Sequence, residues 1–256
     1  MGFKVNDVVN GIRVIVCEDS DAASRTTADL IADQLRERPQ SVLGLATGGT
    51  PLKTYENLIE LHRDGQISFA EATSFNLDEY VGLSGDHPQS YRSFMNQTLF
   101  SKVDIAPERT HVPDGLASDV PAHCTAYEDS IQSHGGIDLQ LLGIGHNGHI
   151  AFNEPGSSVD SRTRRVDLTD DTIEKNARFF DSPDEVPREA ITMGIATILQ
   201  AKKIVLLAIG SGKTAAIKSM LFGEVTDEVP ASFLRQHVGV TVVLDAAAAD
   251  GLFDSQ

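Results

Sequence analysis

Short β-branched runs alternate with amphipathic helical stretches along the whole chain, and that alternation limits the possible folds more than any other feature. The clearest strand-like runs are Ile12–Cys17, Val42–Ala46, Asp138–Leu142, Lys203–Ile209 and Val240–Leu244. Helical patterns fall at Asp21–Arg36, Pro51–Asp64, Val120–His134 and Lys213–Phe222. The strand-like runs are nearly continuous in apolar residues, as strands are when both faces of a sheet are covered. The pattern predicts an α/β fold with an open, mostly parallel sheet and helices on both faces. No repeat, low-complexity tract or Pro/Gly/Ser linker divides the 256 residues, so one domain spanning 1–256 is expected. Ligands in such sheets sit beyond the carboxyl ends of the strands, so chemistry is expected just after each run.

Charge narrows the partners. Asp and Glu total 37 against 21 Lys and Arg, a formal net charge of −16. Such a surface repels nucleic acid and anionic membrane, and neither is expected as a partner. It also repels a phosphorylated ligand, so a phosphate site must be built from local cations and backbone N–H groups. Salt adaptation and ordinary acidity explain the acid excess equally well. No apolar run approaches the roughly 18 residues of a membrane span. Met1 to Gly11 has no signal-peptide pattern, and Cys17 and Cys124 are far apart with no CxxC pair. Reduced thiols in a cytoplasmic protein are the expectation.

Four segments hold the candidate chemistry. In Leu45-Ala46-Thr47-Gly48-Gly49-Thr50-Pro51 a strand ends, two glycines permit close backbone approach, and Pro51 suits the start of a helix. Free N–H groups there, with two threonine hydroxyls, can take an anion; a tight turn without ligand is the alternative. Ile209-Gly210-Ser211-Gly212-Lys213-Thr214 looks like the end of a nucleotide P-loop, but Leu207 stands where the first glycine should be. A monophosphate contact by Lys213 and a solvated helix lysine both remain. Gly143-Ile144-Gly145-His146-Asn147-Gly148-His149 fits GxGxxG after a strand, with Asp167 near the distance of a ribose-binding acid. Pro155-Gly156-Ser157-Ser158 then follows too soon for the required helix, so this is a loop of polar side chains. Metal binding by His146, His149 and Glu154 is disfavoured because Gly148 and the loop spoil a rigid pair. Acid–base chemistry by His149, with Glu154 five residues on, fits better than a structural histidine, because Asn147 and Asn153 crowd the same loop. In Phe75-Asn76-Leu77-Asp78-Glu79-Tyr80-Val81-Gly82, Asp78 at a strand end among apolar neighbours would gain a raised pKa and become a usable proton acceptor. A helix N-cap aspartate is its alternative.

Together these segments closely resemble the glucosamine-6-phosphate deaminase family, from Ile12 to about Ala248. The matching stretches are LATGGTPLKTY, SFNLDEYVGL with HPQSYRSFM, GIGHNGHIAFNEPGSS, NARFF and VPASFLRQH. The resemblance implies a Rossmann-like sheet with a mobile lid at about 165–190. The implied activity is isomerisation and deamination of glucosamine 6-phosphate to fructose 6-phosphate and ammonia, without cofactor or metal. It implies that Asp78 moves the C2 proton, that His149 assists ring opening and that Glu154 shares its relay. Asn147 stands where some members carry aspartate; as a neutral amide it would only orient His149. Thr47, Gly48, Gly49, Thr50, Arg178 and Lys213 match the phosphate ligands, Arg178 lying in the lid. Ser157 and Arg164 match an effector site for N-acetylglucosamine 6-phosphate, but Val166 replaces a lysine there, which implies little or no activation. Some members are hexamers and others smaller, so a homo-oligomer is possible by resemblance. 6-Phosphogluconolactonases share the phosphate loops, but a C2 base has no evident use in ester hydrolysis. Sugar-phosphate sensors usually begin with a helix-turn-helix of about 50 residues, whereas the first strand here is near Ile12.

Overall fold

The computed structural model describes residues 6–169, 172–174, 180 and 185–253. Among these the strands are β1 (Asn6–Val9), β2 (Ile12–Cys17), β3 (Val42–Leu45), β4 (Thr73–Asn76), β5 (Asp78–Tyr80), β6 (Thr110–His111), β7 (Leu139–Leu142), β8 (Arg164–Asp167), β9 (Glu189–Thr192), β10 (Lys203–Ala208) and β11 (Val240–Asp245). The main sheet runs β1-β2-β11-β10-β7-β3-β4-β6 and is parallel except for β1. That antiparallel edge is made by Asn10-Gly11, both at positive φ, which close a two-residue hairpin pairing Val9 with Ile12. All residues of β3, β4 and β7 are buried, as strands covered on both faces must be.

The helices α1 (Ser20–Glu37), α2 (Leu52–Arg63), α3 (Tyr91–Thr98) and α4 (Val120–Ser133) match the periodic stretches, with α3 an addition. Two shorter helices follow, α5 (Ile195–Leu199) and α6 (Thr214–Phe222). In α1 the residues Ala23, Thr27, Ala28, Ile31, Ala32 and Leu35 are buried, a three-and-four spacing that places one face on β2, β10 and β11. Its other neighbour is α2.

A second, antiparallel sheet of order β5-β9-β8 was not anticipated from the sequence. After β4 ends at Asn76, the chain crosses one residue, Leu77, and enters this sheet at Asp78. Tyr80, Phe152, Leu168 and Ala190 form a small apolar cluster there, with Tyr91 and Val166 packed against it. The ends of the expected lid, 165–167 and 189–190, belong to β8 and β9, which pair with each other. Much of the rest, including Arg178, lies outside the described residues.

Below the strands, Asp138 joins several elements just before β7. It is buried, and it accepts the Val42 N–H at 2.8 Å, Lys202 Nζ at 2.7 Å and Arg38 Nη1 at 3.0 Å. Asp138→Ala should lower stability by about 1–3 kcal/mol, because the buried Val42 N–H loses its acceptor. Thermal or urea unfolding measures this; an unchanged midpoint would mean that water or a shifted neighbour replaces the carboxylate.

Candidate active site

The segments after β3, β4, β7 and β10, which are adjacent strands, open onto one cleft of about 490 Å³. Thr47–Thr50, Asp78, Gly145, His149 and Lys213 all line it. A larger hollow of about 650 Å³ lies between α4 and β8, lined by Cys124, Glu128, Arg162 and Arg164 among others. None of the glycine-turn or acid–base residues singled out above faces that hollow, so the smaller cleft is the candidate site.

Its phosphate-like end is built from two helix entries. Tyr55 on α2 donates its hydroxyl to the Ala46 carbonyl and so braces the glycine turn, where Gly48 has φ 94°. Asp19, Ser90 and Asp119 cap α1, α3 and α4 through their side chains. By contrast, α2 begins at Pro51 and α6 at Lys213, neither with a side-chain cap. The start of α2 therefore has leading N–H groups that can take an anion, whereas the Thr214 N–H that opens α6 already bonds the Ser211 carbonyl. In the Gly210 turn the backbone N–H groups of Gly210 and Lys213 are already engaged. The first is held by the Asp245 carboxylate at 3.0 and 3.1 Å, and the Lys213 N–H bonds the Gly210 carbonyl. Here the side chain of Lys213, and not these N–H groups, is what the turn offers a ligand.

Asp78 is the first residue of β5 and is buried, with 6% relative exposure. The strand-end position holds, the N-cap alternative does not, and burial is more complete than expected because the second sheet covers it. Burial, reinforced by the neighbouring Glu79 charge, raises its pKa from 3.8 to about 8; a hydrogen bond from the Thr47 hydroxyl pulls the other way. Thr47, matched above to phosphate ligands, lines the same cleft as Asp78.

Residues 143–154 form turns with no helix, which removes the dinucleotide reading of GxGxxG. His149 Nδ1 lies 3.3 Å from Glu154 Oε1, within ion-pair reach but off the line of a well-formed hydrogen bond. Burial would raise the Glu154 pKa, yet it falls to about 2 through the bond and charge of His149, the Asn147 amide and the Thr172 hydroxyl. Asn147 Nδ2 donates to Glu154 Oε2 at 2.8 Å, and Asn147 Oδ1 accepts the His149 N–H at 3.2 Å. The amide therefore contacts His149 through its backbone N–H and also fixes the Glu154 carboxylate. Gly145 is required by close approach, since a Cβ there would fall on the His149 ring.

Three contributors were not identified from the sequence. Tyr91 and Phe152 line the cleft as stacked rings, 6.2 Å between centroids. Thr172 donates to Glu154 Oε1 at 3.1 Å. A lone threonine in a polar stretch carries no signal that would have found it. At the resembled effector site, Arg164 bonds Asn153 Oδ1 at 2.9 Å and Ser157 Oγ at 3.4 Å, while Val166 packs in the small apolar cluster. Among the described residues, no group of three or more His, Cys, Asp or Glu side chains converges in a metal-binding arrangement.

The family model described as glucosamine-6-phosphate isomerases/6-phosphogluconolactonase matches residues 18–243. The chain belongs to this family. Within it, the chain is 56% identical over 241 residues to a glucosamine-6-phosphate deaminase from Rhodopirellula baltica, covering 94% of this chain and 96% of that one. It is 51% identical over 238 residues to the deaminase of Clostridium perfringens strain 13, covering 93% and 98%. A solved monomeric glucosamine-6-phosphate deaminase superposes with a TM-score of 0.91 at 48% identity, covering 93% and 99%. The 6-phosphogluconolactonase of Trypanosoma brucei superposes at 0.76 with 21% identity, covering 94% and 98%, a likeness of fold alone.

Two outcomes are expected for this family member. Gly145→Ala should keep the fold by circular dichroism but lower kcat by about 10²-fold, the scale of a misplacement near 1 Å; native turnover would show that the ring tolerates displacement. The second concerns Asp78, whose folded pKa of about 8 exceeds its ordinary 3.8. Its contribution to stability is fully present below the lower value and is lost as pH rises through the upper one. Asp78→Asn should therefore stabilise the protein by about 1–2 kcal/mol at alkaline pH and give no gain near pH 4. Equal melting temperatures at both pH values would place the carboxyl in water.

Proposed function

We propose that the chain is a glucosamine-6-phosphate deaminase, converting glucosamine 6-phosphate to fructose 6-phosphate and ammonia. The observation that carries this is the placement on one cleft of a buried carboxyl of raised proton affinity, Asp78, and of His149, which Glu154 backs from behind the lining. The identity to deaminases over more than nine-tenths of the chain supports it.

In this reading the phosphate is held by the turn before α2 at Thr47, Gly48, Gly49 and Thr50 and by Lys213, with Arg178 added on the family resemblance. That remote binding energy holds the sugar for reaction at C1 and C2. His149, held by Glu154 and Asn147, carries a proton between the anomeric hydroxyl and the ring oxygen, and the pyranose opens to the aldehyde. Asp78 takes the C2 hydrogen as a proton, and the electron pair moves to give an enolamine. Reprotonation at C1 turns this into an iminium at C2. Water adds to that carbon, the carbinolamine forms, and ammonia leaves as the ketone is made. Every step is a proton transfer or the addition or loss of a small molecule, chemistry that positioned acids and bases accelerate by about 10²–10⁴-fold each. The groups are assigned to one chain acting as a single domain, with 165–190 as its lid, so the mechanism requires no second subunit. No described helix is long and apolar enough to cross a membrane; we place the enzyme in the cytoplasm, where phosphorylated sugars are handled.

A coupled assay should detect ammonia from glucosamine 6-phosphate and no hydrolysis of 6-phosphogluconolactone. In D2O, Asp78→Asn should lose hydrogen exchange at C2 by at least about 10²-fold while retaining sugar-phosphate binding. Ammonia release at the native rate in that variant would remove the assignment.

A further inference from the structure

Thr172 lines the cleft and is buried, yet no step above uses it. Its hydroxyl donates to Oε1 of Glu154 at 3.1 Å, the same oxygen that faces Nδ1 of His149 at 3.3 Å. Asn147 Nδ2 holds the other oxygen, Oε2, at 2.8 Å. A carboxylate with a donor on each oxygen does not rotate without losing one of them. The hydroxyl is itself committed. Thr169 Oγ1 donates to Thr172 Oγ1 at 3.0 Å and accepts the Thr172 N–H at 3.3 Å. A threonine hydroxyl has one hydrogen to give, and here it is left for Glu154. Packing fixes the separation of the two segments. Leu168 and Ile173, on either side of this pair of threonines, pack in one apolar cluster with Phe152, two residues before Glu154. The Leu168 N–H also bonds the Arg188 carbonyl at 2.8 Å, and the Ile173 N–H bonds the Thr169 carbonyl at 2.9 Å. Other residues thus anchor the segment, and the Thr172 hydroxyl is not needed to attach it.

We propose that Thr172 is a positioning residue of the relay, holding the Glu154 carboxylate so that its charge, and not a shared proton, supports His149. The inference rests on His149 opening the sugar ring. When the imidazole takes the proton of the anomeric hydroxyl it becomes a cation, and a fixed anion beside Nδ1 stabilises that cation. A carboxylate free to swing would follow Nδ1 into a short hydrogen bond and hold the ring proton more tightly. With Oε1 committed to Thr172, the contact to Nδ1 stays off the hydrogen-bond line, and that nitrogen has no well-formed partner among the described residues. Donors on both oxygens also favour the ionised carboxylate. Burial would raise the proton affinity of Glu154, but His149, Asn147 and Thr172 together bring its pKa down to about 2. The proton that reaches His149 is therefore returned to the sugar oxygen and not passed on to Glu154.

The test compares glucosamine 6-phosphate with an analogue lacking the C4 and C5 hydroxyls, which cannot close a ring and meets the enzyme as the open aldehyde. Thr172→Val keeps the shape and removes the donor. It should lower kcat on the cyclic sugar by about tenfold at unchanged KM, the scale of one hydrogen bond to a charged group. On the open analogue its kcat should equal that of the native enzyme. Thr172→Ser should restore the cyclic rate. Equal loss on both sugars would make Thr172 scaffold, and a raised KM at native kcat would make it a substrate ligand. Either result overturns the proposal, as does native turnover. His149→Gln separates this failure from that of the reading beneath it. Equal loss on both sugars in that variant removes the ring-opening role itself, whereas a selective loss there with none in Thr172→Val overturns this inference alone. If Thr172→Val does not fold, Thr169→Val, which removes the hydroxyl behind Thr172, decides by the same ratio of rates.

Discussion

The single-residue crossing at Leu77 is the constraint on which the site depends. By leaving the main sheet at Asn76 and entering the small sheet at Asp78, the chain puts a carboxyl at a strand end and covers it with β9. A carboxyl at the open carboxyl edge of a parallel sheet would ordinarily be wet. Here the second sheet and the rings of Tyr80 and Tyr91 exclude solvent, and proton affinity rises as a result. The remaining parts of the cleft are arranged around that buried group: an anion end at the start of α2, and a histidine relay on the loop after β7.

The relay and the base illustrate opposite uses of burial. At Asp78 burial prevails and proton affinity rises. Glu154 is also partly buried, but the facing His149 ring and the hydrogen bonds from Asn147 and Thr172 lower its proton affinity. A carboxyl in the cleft and one just behind it are driven in opposite directions by their surroundings, which is how a site obtains a proton acceptor and an electrostatic support from the same functional group.

Much of this was legible in the chain. The strand-like runs locate β2, β3, β7, β10 and β11 to within about a residue at either end, because in an α/β pattern a short continuous apolar run marks a strand covered on both faces. The cleft residues were legible because glycine turns and crowded polar loops are rare just after such runs. The small sheet was not. β5 has three residues, and β8 reads Arg-Arg-Val-Asp, with too little apolar content to distinguish it from a loop. The tether from Glu79 to α3 was hidden for another reason: it joins a side chain to backbone N–H groups 12 and 13 residues away, which no local pattern encodes. The further bond from Asn147 to Glu154 was not legible, because it depends on the turn at Gly148 that brings the two together.

The Asn10-Gly11 hairpin has a consequence for the molecule in concentrated solution. It closes one border of the large sheet with a four-residue antiparallel ribbon, while the opposite border, β6, is only two residues long. Among the described residues, neither rim offers a long row of unpaired amides onto which another chain could zip. A sheet of eight strands is thus bounded by short ends that discourage intermolecular stacking, and the strong negative charge adds mutual repulsion between copies.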